Sequence, residues 1–126
     1  MFKPLNAFGG FSVDDLDKAK KFYTKTLDLK LVSDKMGLQL GLPGGGELFV
    51  YPKDNHEPAT YTVLNFVVED IDAAVDELTK RGVKFEQYKD FGTDKKGIAR
   101  GIQTGMGPDI AWFKDPAGNI ISVMQA

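Results

Sequence analysis

The chain of 126 residues contains no cysteine, a single histidine (His56) and only two arginines (Arg81 and Arg100). The first absence excludes disulfide staples, thiolate metal sites and a cysteine nucleophile together. The second removes the usual nitrogen donors of a transition-metal site, which needs about three or four protein ligands. The net charge of −2, from 16 basic and 18 acidic residues mixed along the chain, provides no basic field to attract a phosphate backbone, so nucleic acid is excluded as a partner. No stretch approaches the roughly 20 apolar residues of a membrane span, and Met1 to Phe11 has no apolar run of signal-peptide length. The expectation is a cytoplasmic protein without membrane contact, whose 42% hydrophobic residues form one compact core, built from two halves.

An internal repeat organises the sequence. Phe11 to Lys25 (FSVDDLDKAKKFYTK) matches Phe66 to Lys80 (FVVEDIDAAVDELTK) at an offset of 55 residues, with identities at Phe11/Phe66, Val13/Val68, Asp15/Asp70, Asp17/Asp72, Ala19/Ala74, Thr24/Thr79 and Lys25/Lys80. In both copies a short apolar run ends in an acidic pair and passes into an amphipathic period, the pattern of strand, cap and helix. Ile71, Ala74, Val75 and Leu78 form one apolar stripe, Asp72, Asp76 and Lys80 face away, Asp70 or Glu69 caps the helix, and Gly82 stops it. Leu16, Ala19, Phe22 and Tyr23 repeat the stripe in the first copy.

Strand candidates follow each helix. They are Leu29 to Ser33, Met36 to Leu42 and Glu47 to Tyr51, then Val83 to Tyr88, Asp109 to Phe113 and Ile120 to Gln125. The expected fold is α+β, two tandem βαβββ modules (residues 1–51 and 60–126) joined by a polar linker (52–59) that contains His56 as a solvated turn residue. Phe91 to Pro108, punctuated by five glycines, is too long for a plain connection. Its glycines suit a mobile cover, with Arg100 and Met106 touching whatever lies beneath.

Several of these residues resemble a known family. Val13-Asp14-Asp15-Leu16 with Ala19 and Phe22-Tyr23, together with the closing Phe113-Lys114-Asp115-Pro116-Ala117-Gly118-Asn119-Ile120-Ile121, are similar to the opening and closing signatures of the glyoxalase, bleomycin-resistance and dioxygenase superfamily. The resemblance covers nearly the whole chain. It implies eight strands in two curved sheets around a cavity, and a homodimer. Members with metal chemistry carry a histidine on the first strand of a module and a carboxylate on its last strand. Transferred residue by residue, those positions fall on Phe8, Val63 and Ser122, with Phe49 or, after a shift in alignment, Glu47 at the fourth. No metal or other cofactor is expected on this basis.

Strand alternation then nominates the residues that face a ligand. Phe8, Gln39, Phe49, Tyr51, Asn65, Trp112 and Ser122 make an apolar and aromatic wall with a few neutral polar groups, the composition of a small-molecule site. Phe8, Phe49 and Trp112 serve equally well as core filling. Asn65, an amide in an apolar strand, requires a hydrogen-bond partner in the protein or in a ligand. Arg100 is either a solvated loop residue or a bidentate donor to an anionic ligand. The functional expectation is a protein that binds a small, partly aromatic or apolar molecule. The alternative is an enzyme of lyase, isomerase or dioxygenase type with a non-standard site, in which Glu47 or Glu86 acts as base.

Overall fold

The computed structural model describes all 126 residues, which divide into two compact units, Met1–Glu57 and Pro58–Ala126. In the first unit β1 (Gly9–Val13) leads into α1 (Leu16–Lys21), followed by β2 (Lys30–Ser33), β3 (Leu38–Gly41) and β4 (Glu47–Pro52). The sheet order is β1-β4-β3-β2, with β1 parallel to β4 and the other pairs antiparallel. Asp15 caps α1 by accepting a hydrogen bond from the Lys18 amide at 3.1 Å. The helix then widens into a π-turn over Phe22–Thr26. Thr24 contributes to the widening by donating its hydroxyl to the Lys20 carbonyl at 2.6 Å, a back-bond that competes with the helical ladder. The face of the sheet toward α1 buries Val13, Leu38, Leu40, Leu48 and Val50, with Tyr23 of the π-turn fully buried among them.

The second unit repeats this plan with β5 (Thr62–Val67), α2 (Ile71–Lys80), β6 (Ile98–Arg100), α3 (Gly101–Thr104), β7 (Asp109–Lys114) and β8 (Ile120–Gln125). Its sheet order, β5-β8-β7-β6, is that of the first unit element for element, as the sequence repeat requires. Asp70 is the cap of α2, accepting from the Ala73 amide at 3.1 Å, so the two copies begin their helices with the same hydrogen bond. Gly82, at φ +96°, turns the chain out of α2. Ile71 and Val75 pack with Ala111, Phe113, Ile121 and Val123 on the buried face of the sheet.

The sixth strand differs from expectation. Val83 to Tyr88 does not form a strand; its backbone joins the sheet through a bridge from Phe85 to Phe113 and a hydrogen bond from the Glu86 amide to the Trp112 carbonyl at 2.8 Å. The edge beside β7 is completed by Ile98–Arg100, paired with Asp109–Ala111. Two short segments thus share one edge, and residues 87–97 leave the sheet between them. Gly97 closes this excursion at φ +88°, where a Cβ would lie 2.9 Å from that of Phe85. No larger residue fits between the two segments. The first-half strand expected over Met36 to Leu42 is likewise trimmed to Leu38–Gly41, leaving Met36 exposed. No helix is long and apolar enough to cross a membrane.

Candidate functional site

In each sheet the face away from the helix carries the residues nominated by alternation. On the first unit, Gln39 of β3 lies opposite Phe49 of β4. Phe49 stacks on Tyr51 (centroids 5.8 Å apart, planes at 21°) and meets the edge of Phe8 at 6.5 Å. Phe8, Gln39 and Phe49 line a hollow of about 510 Å³ with Ser33, Met36 and Glu47. Gln39 donates its amide N–H to the Glu47 carboxylate at 2.6 Å. Phe8 is 64% exposed, which rules out core filling for that ring. His56 is not the solvated turn residue expected; it is half-buried, and its Nδ1 lies 2.6 Å from the Ser12 hydroxyl.

On the second unit, Asn65, Ser122 and Trp112 form one row across β5, β8 and β7. Fully buried Ser122 donates its hydroxyl to the Asn65 Oδ1 at 2.5 Å. The partner that Asn65 requires is therefore within the protein. Trp112 donates its indole N–H to the Thr62 hydroxyl at 3.2 Å, which fixes the ring on the open face rather than in the core.

Two further rings meet this tryptophan. Tyr88 stands 5.3 Å from it at 72°, Phe91 5.2 Å from it at 34°, and the two are 6.1 Å apart at 89°. They are brought there by a single 3₁₀ turn, Lys89–Phe91, held because the Thr93 hydroxyl accepts from the Tyr88 amide at 3.0 Å. Burial, reinforced by the charge of Glu86, pushes the Tyr88 phenol pKa up, so this ring is neutral over the physiological range. Trp112 and Phe91 separate two hollows. One, of about 560 Å³, is lined also by Tyr61, Thr62, Tyr88, Lys114 and Ile120; the other, of about 810 Å³, by Arg100, Met106, Pro108 and Ile110. Both volumes suit a ligand of a few fused rings.

Arg100 lines the second hollow, but its guanidinium is engaged within the protein and the segment around it is tied to the sheet and to α2. Its guanidinium grips both carboxylate oxygens of Asp72 on α2, at 2.8 and 2.9 Å, and its Nε donates to Asp94 at 3.1 Å. Lys96 extends the network to Asp72 at 3.0 Å and Asp76 at 2.9 Å. Ile98 and Ala99 are buried in the ladder, so lifting residues 91–108 as a whole would break both the sheet edge and the ion pairs. The acids that face away from the apolar stripe of α2, as expected, also anchor the excursion that carries Phe91.

This network yields a measurable expectation. Hydrogen bonds from Arg100 first and Lys96 second hold the Asp72 carboxyl well below its ordinary value of 3.8. A carboxylate with a lowered native pKa contributes stability above its unfolded pKa, and that contribution fades as pH falls toward the native value. Because the groups are partly exposed, Asp72→Asn is expected to cost about 1 kcal/mol at neutral pH, or about 3 °C in melting temperature. The difference from the parent should shrink as pH drops below 3.8. Calorimetric scans at several pH values check both; a gap that widened in acid would contradict the assignment.

A family model described as the Glyoxalase/Bleomycin resistance protein/Dioxygenase superfamily matches residues 6–123. The chain belongs to this superfamily. Among solved structures, TnmS3, an antibiotic-binding protein from Streptomyces sp. CB03234, is similar at 26% identity and a TM-score of 0.71, over 99% of this chain and 98% of that one. A glyoxalase/bleomycin resistance protein from the same organism is 28% identical, with a TM-score of 0.66 over 95% and 99% of the two chains. The fosfomycin resistance protein FosX from Mesorhizobium loti shares the fold at 14% identity and a TM-score of 0.67, over 100% and 94%. No curated protein sequence matches the chain.

The residues at the superfamily's metal-ligand positions do not fit a transition metal. Phe8 and Val63 offer hydrocarbon, and the Ser122 hydroxyl is already bonded to Asn65. At the fourth position Phe49 offers a ring, and the neighbouring Glu47 carboxylate is held by Gln39. No group of three histidine, aspartate or glutamate side chains is arranged to hold a metal ion.

Tyr88, Phe91 and Tyr61 were not nominated from sequence. Tyr88 and Phe91, three apart and followed by Gly92, carry the signal of a one-turn aromatic pair.

Proposed function

We propose that the protein is a cytoplasmic, metal-independent binder that holds a small aromatic molecule without transforming it; the likeness to an antibiotic-binding protein supports a binding role. The observation that carries this reading is the wall of Trp112, Tyr88 and Phe91, three rings that meet on the open face of a sheet instead of filling its core. Offset and edge contacts of this kind suit a flat π-system inserted beside them. Trp112 is the only tryptophan, so its emission reports on this site alone. Titration with flavone and menadione is expected to give saturable quenching, with the ligand recovered chemically unchanged. Emission that stays unaltered by both removes the support for this site.

The Glu47 carboxylate, bonded to Gln39 beside Phe8 and Phe49, is the one feature that favours an enzyme with a non-standard base. Mass analysis of the recovered ligand separates the two readings. The protein should also pair with a second copy, because Val67 and Tyr61 leave 72% and 70% of their surfaces in water on the ligand-facing unit. Sedimentation at micromolar concentration is expected to give twice the 13.9 kDa chain mass; a monomer counts against the pairing.

A further inference from the structure

We infer that the hollow beside Trp112 selects an aromatic ligand bearing an acidic oxygen, a carboxylate or phenolate, and that Lys114 makes the selection. The inference rests on the reading of that hollow as the binding site. Of the residues lining it, Lys114 is the only ionised one. It lies two residues beyond Trp112 on β7, and alternation puts both side chains on the same face. Across the ladder it stands opposite Ile120, which lines the same hollow. One ring surface and one cation are therefore held at a spacing that the strand sets.

The ammonium is not consumed elsewhere. Lys114 is half-exposed, and its nearest carboxylate, Glu86, is 3.7 Å away, longer than a charge-assisted hydrogen bond. An ammonium carries three donors, so a ligand oxygen can be accepted beside Glu86. Two neutral groups point the same way. The Thr62 hydroxyl accepts from the Trp112 indole and keeps its own O–H as a donor, and Tyr88 contributes a protonated phenol. Glu86 itself is not among the lining residues, so a cation on the π-faces would meet the Lys114 ammonium and no lining carboxylate.

Three probes of one shape test this on the full chain: 2-naphthoate, 2-naphthylmethanol and 2-naphthylmethylammonium, titrated by calorimetry at low salt. The carboxylate is expected to bind about tenfold tighter than the alcohol, and the ammonium weakest. Lys114→Met should bring the carboxylate-to-alcohol affinity ratio to about one, while Lys114→Arg should retain the preference. Circular dichroism confirms that each variant is folded. An alcohol that binds as tightly as the carboxylate, an ammonium that binds tightest, or a ratio unmoved by Lys114→Met overturns the selection and leaves the aromatic site standing. Failure of all three probes to bind overturns both.

Discussion

Replacing Trp112 by alanine is expected to weaken binding of a planar aromatic ligand by about 100-fold, the loss typical of a central aromatic anchor. The residue lines both of the hollows that meet at Phe91 and is the only ring that meets both Tyr88 and Phe91 from the sheet side. Its removal takes away the flat wall and leaves Tyr88 and Phe91 without the surface they pack on. The Thr62 hydroxyl, which now accepts the indole N–H, would turn to water. Trp112 is half-buried on the open face, so its truncation should cost less stability than the about 3–5 kcal/mol of a fully buried aromatic ring. Calorimetry is the measurement, because the fluorophore is gone. Trp112→Phe keeps a ring but loses the indole N–H, and should recover most of the affinity. If Trp112→Ala binds as the parent does, the ligand does not rest on this wall.

How much of this was legible beforehand depends on the range of the interaction. The repeat at 55 residues announced two similarly built units, and the acidic pair in each copy announced a capped helix start, with Asp70 or Glu69 open in the second; Asp15 and Asp70 form the bond. Alternation along β3, β4 and β7 separated Gln39, Phe49 and Trp112 from their buried neighbours, because a period of two needs no knowledge of distant residues, but along β8 it failed, since Ser122 is as buried as Ile121 and Val123. The failures are all non-local. Val83 to Tyr88 has the alternation of a strand, but which segment occupies the edge beside β7 is decided by Gly97, whose lack of a Cβ lets the chain return against Phe85. Arg100 looked available because its partner Asp72 is 28 residues upstream, across the outer face of α2. A faint signal existed: the acids Asp72 and Asp76 and the cations Lys96 and Arg100 share a spacing of four. Only the folded chain brings the two pairs together. Tyr88 and Phe91 were missed for the same reason, since the turn that presents them depends on the excursion anchored by those ions.

The neighbouring position on the same strand should behave in the opposite way. Phe113→Ala is expected to destabilise the protein by about 3–5 kcal/mol, as large-to-small changes in a packed core do. Phe113 has no exposed surface, its ring meets Phe85 at 5.5 Å and 71°, and the bridge between the two residues fastens the start of the excursion to β7. Truncation leaves a void on the buried face of the sheet and loosens the segment that leads to Tyr88. With a slope of about 1–3 kcal/mol per molar urea, the denaturation midpoint should fall by at least about 1 M. Trp112, next in sequence but on the other face, remains as the reporter, so the molecules still folded in buffer should bind aromatic ligand with nearly parental affinity. The pair of variants thus divides β7 into two functions by its alternation: Trp112 carries recognition and Phe113 carries the scaffold. A Phe113→Ala protein within 1 kcal/mol of the parent, or one that keeps its stability but loses its ligand, would place the core of the second unit elsewhere.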